Sequence, residues 1–161
     1  MAALSTVRKA LASVEKAAKD QPWAKERPWR ARTHVVDEGG VVVVDLHDLK
    51  ANLAKRAVQL VVERGPPEAG ALVFVVGRGR NSVGPGGVLG KVVRSELGGV
   101  CAKQAGWSVR MVGPARVAWI TDRRKAPKHV LGGGGVGITL LWLALIAAFL
   151  FAIANTLGLL S

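Results

Sequence analysis

The chain has 161 residues, 50% of them apolar, and a formal net charge of +12. A length near the usual ~100–150 residues allows one domain, the apolar content excludes disorder throughout, and the lone Cys101 excludes both a disulfide scaffold and a cysteine-based zinc site. The charge is uneven: residues 1–32 carry net +5, residues 33–121 net +4, residues 122–135 net +3, and residues 136–161 none.

Residues 3–19 read as a helix. Leu4, Val7, Leu11, Val14 and Ala18 recur in steps of three and four, which makes one apolar stripe. Lys9, Lys16 and Lys19 lie off it. No uninterrupted apolar core of the ~7–15 residues that a secretory signal needs is present. Glu15 and Asp20 weigh against a mitochondrial transit peptide. The stripe is compatible with packing on the domain, with a coiled-coil partner, or with a membrane surface. Residues 20–32 hold two Pro-Trp pairs and read as a basic linker. Trp23 and Trp29 either dock on the domain or stack on bases.

Residues 33–121 alternate strand and helix. Val41 to Leu46 is a β-branched run after the turn Glu38-Gly39-Gly40, and it predicts a strand buried on both faces. His34 to Val36 can pair with it as a hairpin. Leu49 to Arg64 predicts a helix with Leu49, Leu53, Ala57, Leu60 and Val61 on one face, stopped by Gly65-Pro66-Pro67. Ala71 to Val76 predicts a second strand. A loop, Gly77 to Gly87, leads to a helix from Val88 to Leu97, ended by Gly98-Gly99. Val109 to Val112 and Val117 to Thr121 close the domain as strands joined at Gly113-Pro114. The order β-α-β-α-β-β implies a two-layer α/β fold with a mixed sheet.

Two places can carry chemistry. Asp45-Leu46-His47 ends the first strand, and residues i and i+2 of a strand share a face. Both side chains would project from the edge where α/β sheets hold ligands. A histidine transfers protons near neutral pH, and a neighbouring carboxylate orients it or holds a divalent cation. The bland alternative is an Asp that caps the next helix beside a surface histidine. The three histidines, His34, His47 and His129, are too scattered along the chain for a strong metal signature. The second place is Gly77-Arg78-Gly79-Arg80-Asn81-Ser82. Glycines admit a ligand close to the backbone, free N–H groups cradle phosphate, and arginines add fork-shaped donors. It is not a dinucleotide fingerprint, because Ser82 stands where the third glycine belongs. Nor is it a Walker loop, which would need glycine at Pro85 and Ser or Thr at Val92. Here the bland alternative is a solvated surface loop. Both places follow successive strands of one sheet, so they would lie close in space, which favours a phosphodiester-binding site over the bland alternatives.

The stretch VDLHDLKANLAKRAV, followed by ALVFVVGRGRNSVGPGGVLGKVVRSEL, resembles the Smr (small MutS-related) domain. Asp45 and His47 match that family's Leu-Asp-x-His strand end, and Gly77 and Gly79 match its Gly-x-Gly loop. Ser82 and Gly87-Val88-Leu89 fit the helix entry. The resemblance covers residues 40–121. It implies a fold like the C-terminal domain of bacterial translation initiation factor three. It also implies DNA or RNA as partner, with nicking or RNA endonuclease activity in several members. Val44, Asp48 and Val76 depart from it: the family usually has leucine, glycine, and His or Thr there. The Gly113-Pro114 turn is also shorter than the family's glycine-rich closing segment.

Val136 to Leu160 is 25 residues without a charge, histidine or proline. As a helix it would reach roughly 37 Å, enough to cross a ~30 Å hydrocarbon core. Only Ser161 follows, so a C-terminal membrane anchor is expected. Arg123, Arg124, Lys125 and Lys128 precede it, which places the domain on the cytoplasmic side and offers contacts to anionic headgroups. Gly132 to Gly135 read as a hinge. Ala144, Ala148 and Ala152 share one face and are compatible with pairing of two such helices into an oligomer, although the simpler account is that alanine is common in this run. Three functions follow from the whole: a membrane-tethered nuclease, a non-catalytic nucleic-acid binder, or a membrane-surface adaptor.

Overall fold

A computed structural model of the chain describes residues 3–77 and 87–131. Among the described residues no helix is long and apolar enough to cross a membrane. The uncharged run 136–160, its glycine hinge and residues 78–86 lie outside them. The chain divides into two units, Met1–Leu131 and Gly132–Ser161, and all that follows concerns the first.

The elements are α1 (Leu4–Ala10), α2 (Ala12–Ala18), α3 (Ala31–His34), β1 (Val35–Glu38), β2 (Val41–Asp45), α4 (Ala51–Glu63), β3 (Ala71–Val75), α5 (Gly87–Cys101), β4 (Ser108–Met111) and β5 (Arg116–Ile120). They form a mixed α/β fold on a five-stranded sheet of order β1-β2-β3-β5-β4. Among the described strands only β2 and β3 run parallel; the other neighbouring pairs are antiparallel. The sheet holds one strand more than β-α-β-α-β-β. Val35–Glu38 folds back on β2 across Gly39 and Gly40, whose positive φ angles of 62° and 83° suit glycine alone.

Residues alternate between two apolar layers, as strand pleating requires. Val42, Val44, Leu72, Phe74, Val117 and Trp119 face the helices. Val41, Val43, Ala71, Val73, Ala118 and Ile120 face the other way, where Ala126 and Val130 cover them. β2 is therefore buried on both faces, as its β-branched run predicts. The amino-terminal stripe is core: Val7, Leu11, Val14 and Ala18 are all buried with α4 and the sheet. The expected single helix over 3–19 breaks at Leu11, whose ψ of 5° is not helical.

Residues 20–32 do not hang free. Trp29 and Gln21 are buried, and the Ala31 N–H donates to Glu15 of α2 at 3.0 Å. Gly98-Gly99 does not end α5, which runs on to Cys101. Helical glycine costs only ~1 kcal/mol relative to Ala, and the buried Val93 and Leu97 hold the helix against the sheet. The turn comes later, at Gly106 with φ +83°.

Gly70 stitches the start of β3 to the exit of β5. Its carbonyl accepts the N–H groups of Thr121 and Asp122 at 2.8 and 3.0 Å, and its φ is +71°. A Cβ there would collide with the Asp122 carbonyl oxygen. Gly70→Ala is expected to destabilise the fold by about 2–3 kcal/mol, from left-handed backbone strain plus the collision. Urea denaturation followed by tryptophan fluorescence checks this.

Candidate functional site

Parallel pairing of β2 and β3 puts Asp45 opposite Val75, so both strands end at one edge. There the Asp45 Oδ1 accepts the His47 Nδ1–H at 2.7 Å and the His47 backbone N–H at 3.0 Å. The two side chains meet as expected, but not because His47 continues the strand. It lies in the turn after β2, and the double acceptance by Asp45 closes that turn in the manner of an Asx motif. Asp45 does not cap α4: Lys50 is the cap residue, no side chain caps the helix, and the Lys50 N–H donates to Gln21 Oε1 at 2.7 Å.

On its other side, His47 Nε2 lies 3.1 Å from Asp48 Oδ2. Asp48 Oδ2 in turn lies 4.0 Å from His34 Nε2. The result is a line Asp45–His47–Asp48–His34. Asp45 Oδ1 accepts the hydrogen of Nδ1, while Asp48 Oδ2 stands beside Nε2 without a well-formed hydrogen bond to it. The His47 side chain is 48% exposed, Asp45 30%, His34 17% and Asp48 13%, so the imidazole is the open member of the line.

The amino-terminal arm holds this edge in place. Trp29 Nε1–H donates to the Asp45 carbonyl at 2.7 Å, and its ring stacks on His34 with centroids 5.4 Å apart. Trp23 Nε1–H donates to the Asp48 carbonyl at 2.8 Å. Both tryptophans therefore dock on the domain. In chain order His34 and His47 are far apart, but the β1–β2 register that pairs Val35 with Val44 brings His34 back beside Asp45. The hairpin reading contained that signal. Nothing in the sequence points to Gln21 or Trp23 as supports of the Asp48 turn, because that contact is purely tertiary.

Gly77 is the one described residue of the predicted phosphate loop. Its φ is +74°, and a Cβ on it would stand 3.6 Å from the Cβ of His47. The start of the loop therefore abuts the histidine. Arg78, Gly79, Arg80, Asn81 and Ser82 lie outside the described residues. Val76 is buried in the core and its N–H donates to the Ala115 carbonyl at 2.8 Å, so it offers the site nothing ionisable. Among the described residues no three His, Cys, Asp or Glu side chains converge as the ligands of a metal ion would. Asp45 and Asp48 address the imidazole instead. Comparison with protein-family models, characterised proteins and solved structures returned no match.

Away from this edge, burial pushes the Cys101 thiol above its ordinary pKa, and the neighbouring Trp119 indole pulls it partly back. That Trp119 N–H has no well-formed hydrogen bond among the described residues, so burial is the stronger effect. A raised pKa means less thiolate at neutral pH than a free cysteine holds. Iodoacetamide labelling of the folded chain should be slower at neutral pH than that of the urea-unfolded chain, and its rate should reach half-maximum at a higher pH. Trp29→Phe keeps an aromatic ring, though a smaller one, and leaves the Asp45 carbonyl without its donor. It should cost about 1–2 kcal/mol in chemical denaturation.

Proposed function

We propose that this chain is a membrane-tethered, Smr-like nucleic-acid-binding domain whose phosphodiester site is the edge formed by Asp45, His47 and the loop from Gly77. On this reading the sheet is of the kind found in the C-terminal domain of translation initiation factor three. The run 136–160 anchors the chain, and the domain faces the cytoplasm. The observation that carries the reading is the approach of Gly77 to His47, because it joins two separately recognised motifs at one edge. A phosphate placed there meets the imidazole on one side. Loop amides, Arg78 and Arg80 hold its other oxygens.

The same parts supply nicking. Asp45 fixes the ring through Nδ1, and Nε2, once clear of the Asp48 carboxylate, exchanges a proton with the reacting oxygens. Loop donors take up charge that develops on the phosphoryl group. Binding needs fewer intact parts than cleavage, and the buried Val76 removes one that the resemblance would supply. The second reading is a membrane-surface adaptor with a decayed site. The charge distribution favours it: only +4 of the +12 lies on residues 33–121.

In detergent micelles, the full chain should retain DNA or RNA with an affinity that falls steeply as salt rises. An Asp45→Ala/His47→Ala variant should lose nicking of supercoiled plasmid or structured RNA by about 10²-fold or more. Undiminished nicking would move the active site elsewhere. Absence of retention at low salt, together with binding to anionic vesicles, would establish the adaptor reading instead.

A further inference from the structure

Asp48 is gripped from several directions. Its carbonyl accepts Trp23 Nε1–H at 2.8 Å and Gln21 Nε2–H at 3.3 Å. Gln21 is itself buried, and its Oε1 holds the N–H of Lys50 at 2.7 Å. Lys50 Nζ lies 5.7 Å from the centre of the Trp23 ring, which closes the grip from outside. The Asp48 carboxylate, with the side chain 13% exposed, is the shielded neighbour of a half-exposed imidazole. It is an anion placed by the fold, not a surface charge that wanders.

Its position matters because Nδ1 of His47 is already committed to Asp45. Nε2 is the nitrogen left to meet a ligand. A phosphate oxygen that accepts a hydrogen bond from Nε2 must sit ~2.7–3.0 Å away. The Asp48 Oδ2 stands at 3.1 Å from that nitrogen. Carboxylate and phosphate are both anions, so they repel each other if held together beside one nitrogen.

We propose that Asp48 is an anionic gate on His47: its carboxylate crowds the nitrogen that a phosphate oxygen would need, and the amino-terminal arm, through Trp23 and Gln21 on the Asp48 backbone, latches the turn that carries it. The gate rests on the reading of His47 as part of the phosphodiester site. It adds that this site is closed by its own chain, and that a ligand enters by displacing Asp48. Asp48→Asn keeps the shape and removes the competing charge, so it opens the gate. Asp48→Glu keeps the charge. Trp23→Phe leaves the charge and loosens only the latch.

The probe is inorganic phosphate, added to the full chain in micelles while the ring nitrogens of His47 are followed by ¹⁵N NMR. Asp48→Asn should bring the half-saturating phosphate concentration down by about tenfold or more relative to the unaltered chain. Trp23→Phe should fall between them, and Asp48→Glu should behave as the unaltered chain does. An Asp48→Asn half-point equal to or above that of the unaltered chain overturns the gate, as does a Glu variant that opens like Asn. Should Asp48→Asn fail to fold, Trp23→Phe decides alone, with an unchanged half-point counting against the latch and the gate together. Nucleic-acid retention in a His47→Ala chain keeps the two ideas apart. If it is undiminished, the phosphodiester reading fails, while the phosphate comparison still judges whether Asp48 guards the ring.

Discussion

The parallel pairing of β2 with β3 is the constraint on which the site depends. Parallel neighbours end at the same edge of a sheet, and they need a long connection to get there. Here α4 is that connection, and it pays for its length by burying Ala54, Ala57, Val58, Leu60 and Val61. Asp45 and Gly77 follow directly from the two strand ends. An antiparallel arrangement of these two strands would send Asp45 and Gly77 to opposite edges. The four β-branched residues Val41–Val44 make the pairing robust, since they bury both faces of β2 and leave no register in which a polar side chain would be more comfortable.

The amino-terminal arm is the second tier of the same construction. A turn that leaves a buried strand carries backbone groups that need partners. In this chain those partners come from outside the sheet: Trp29 for the carbonyl of Asp45, Trp23 and Gln21 for that of Asp48, and Gln21 again for the N–H of Lys50. α1 and α2 anchor the arm by burying Val7, Leu11, Val14 and Ala18. The arm therefore belongs to the folded unit and to the architecture of the edge, although its sequence is that of a basic linker.

How far the sequence discloses this depends on the range of the interactions. Strand identity was legible in VVVVD and ALVFV because a doubly buried strand needs an unbroken apolar run. The meeting of Asp45 with His47 was legible from spacing, although a turn, not a strand, achieves it. The end of α5 was not, because two exposed glycines cost less than the burial of Val93 and Leu97 returns. The role of Asp48 was visible only as an odd residue beside His47. Its meaning needed the positions of Trp23, Gln21 and His34, which only tertiary structure supplies.

The charge of the chain takes on a different weight in this light. The arm contributes net +5 and residues 122–135 net +3, while two carboxylates flank the open imidazole. On the proposed function, general attraction to polyanions would come from the flanks and local chemistry from the Asp45–His47 edge. Photo-crosslinking of the full chain to a thio-substituted DNA or RNA strand, with adducts mapped by mass spectrometry, tests that division most directly. Adducts are expected in the peptides that contain His47 and the Gly77–Ser82 loop. Adducts confined to the basic segment 122–131 would contradict that division.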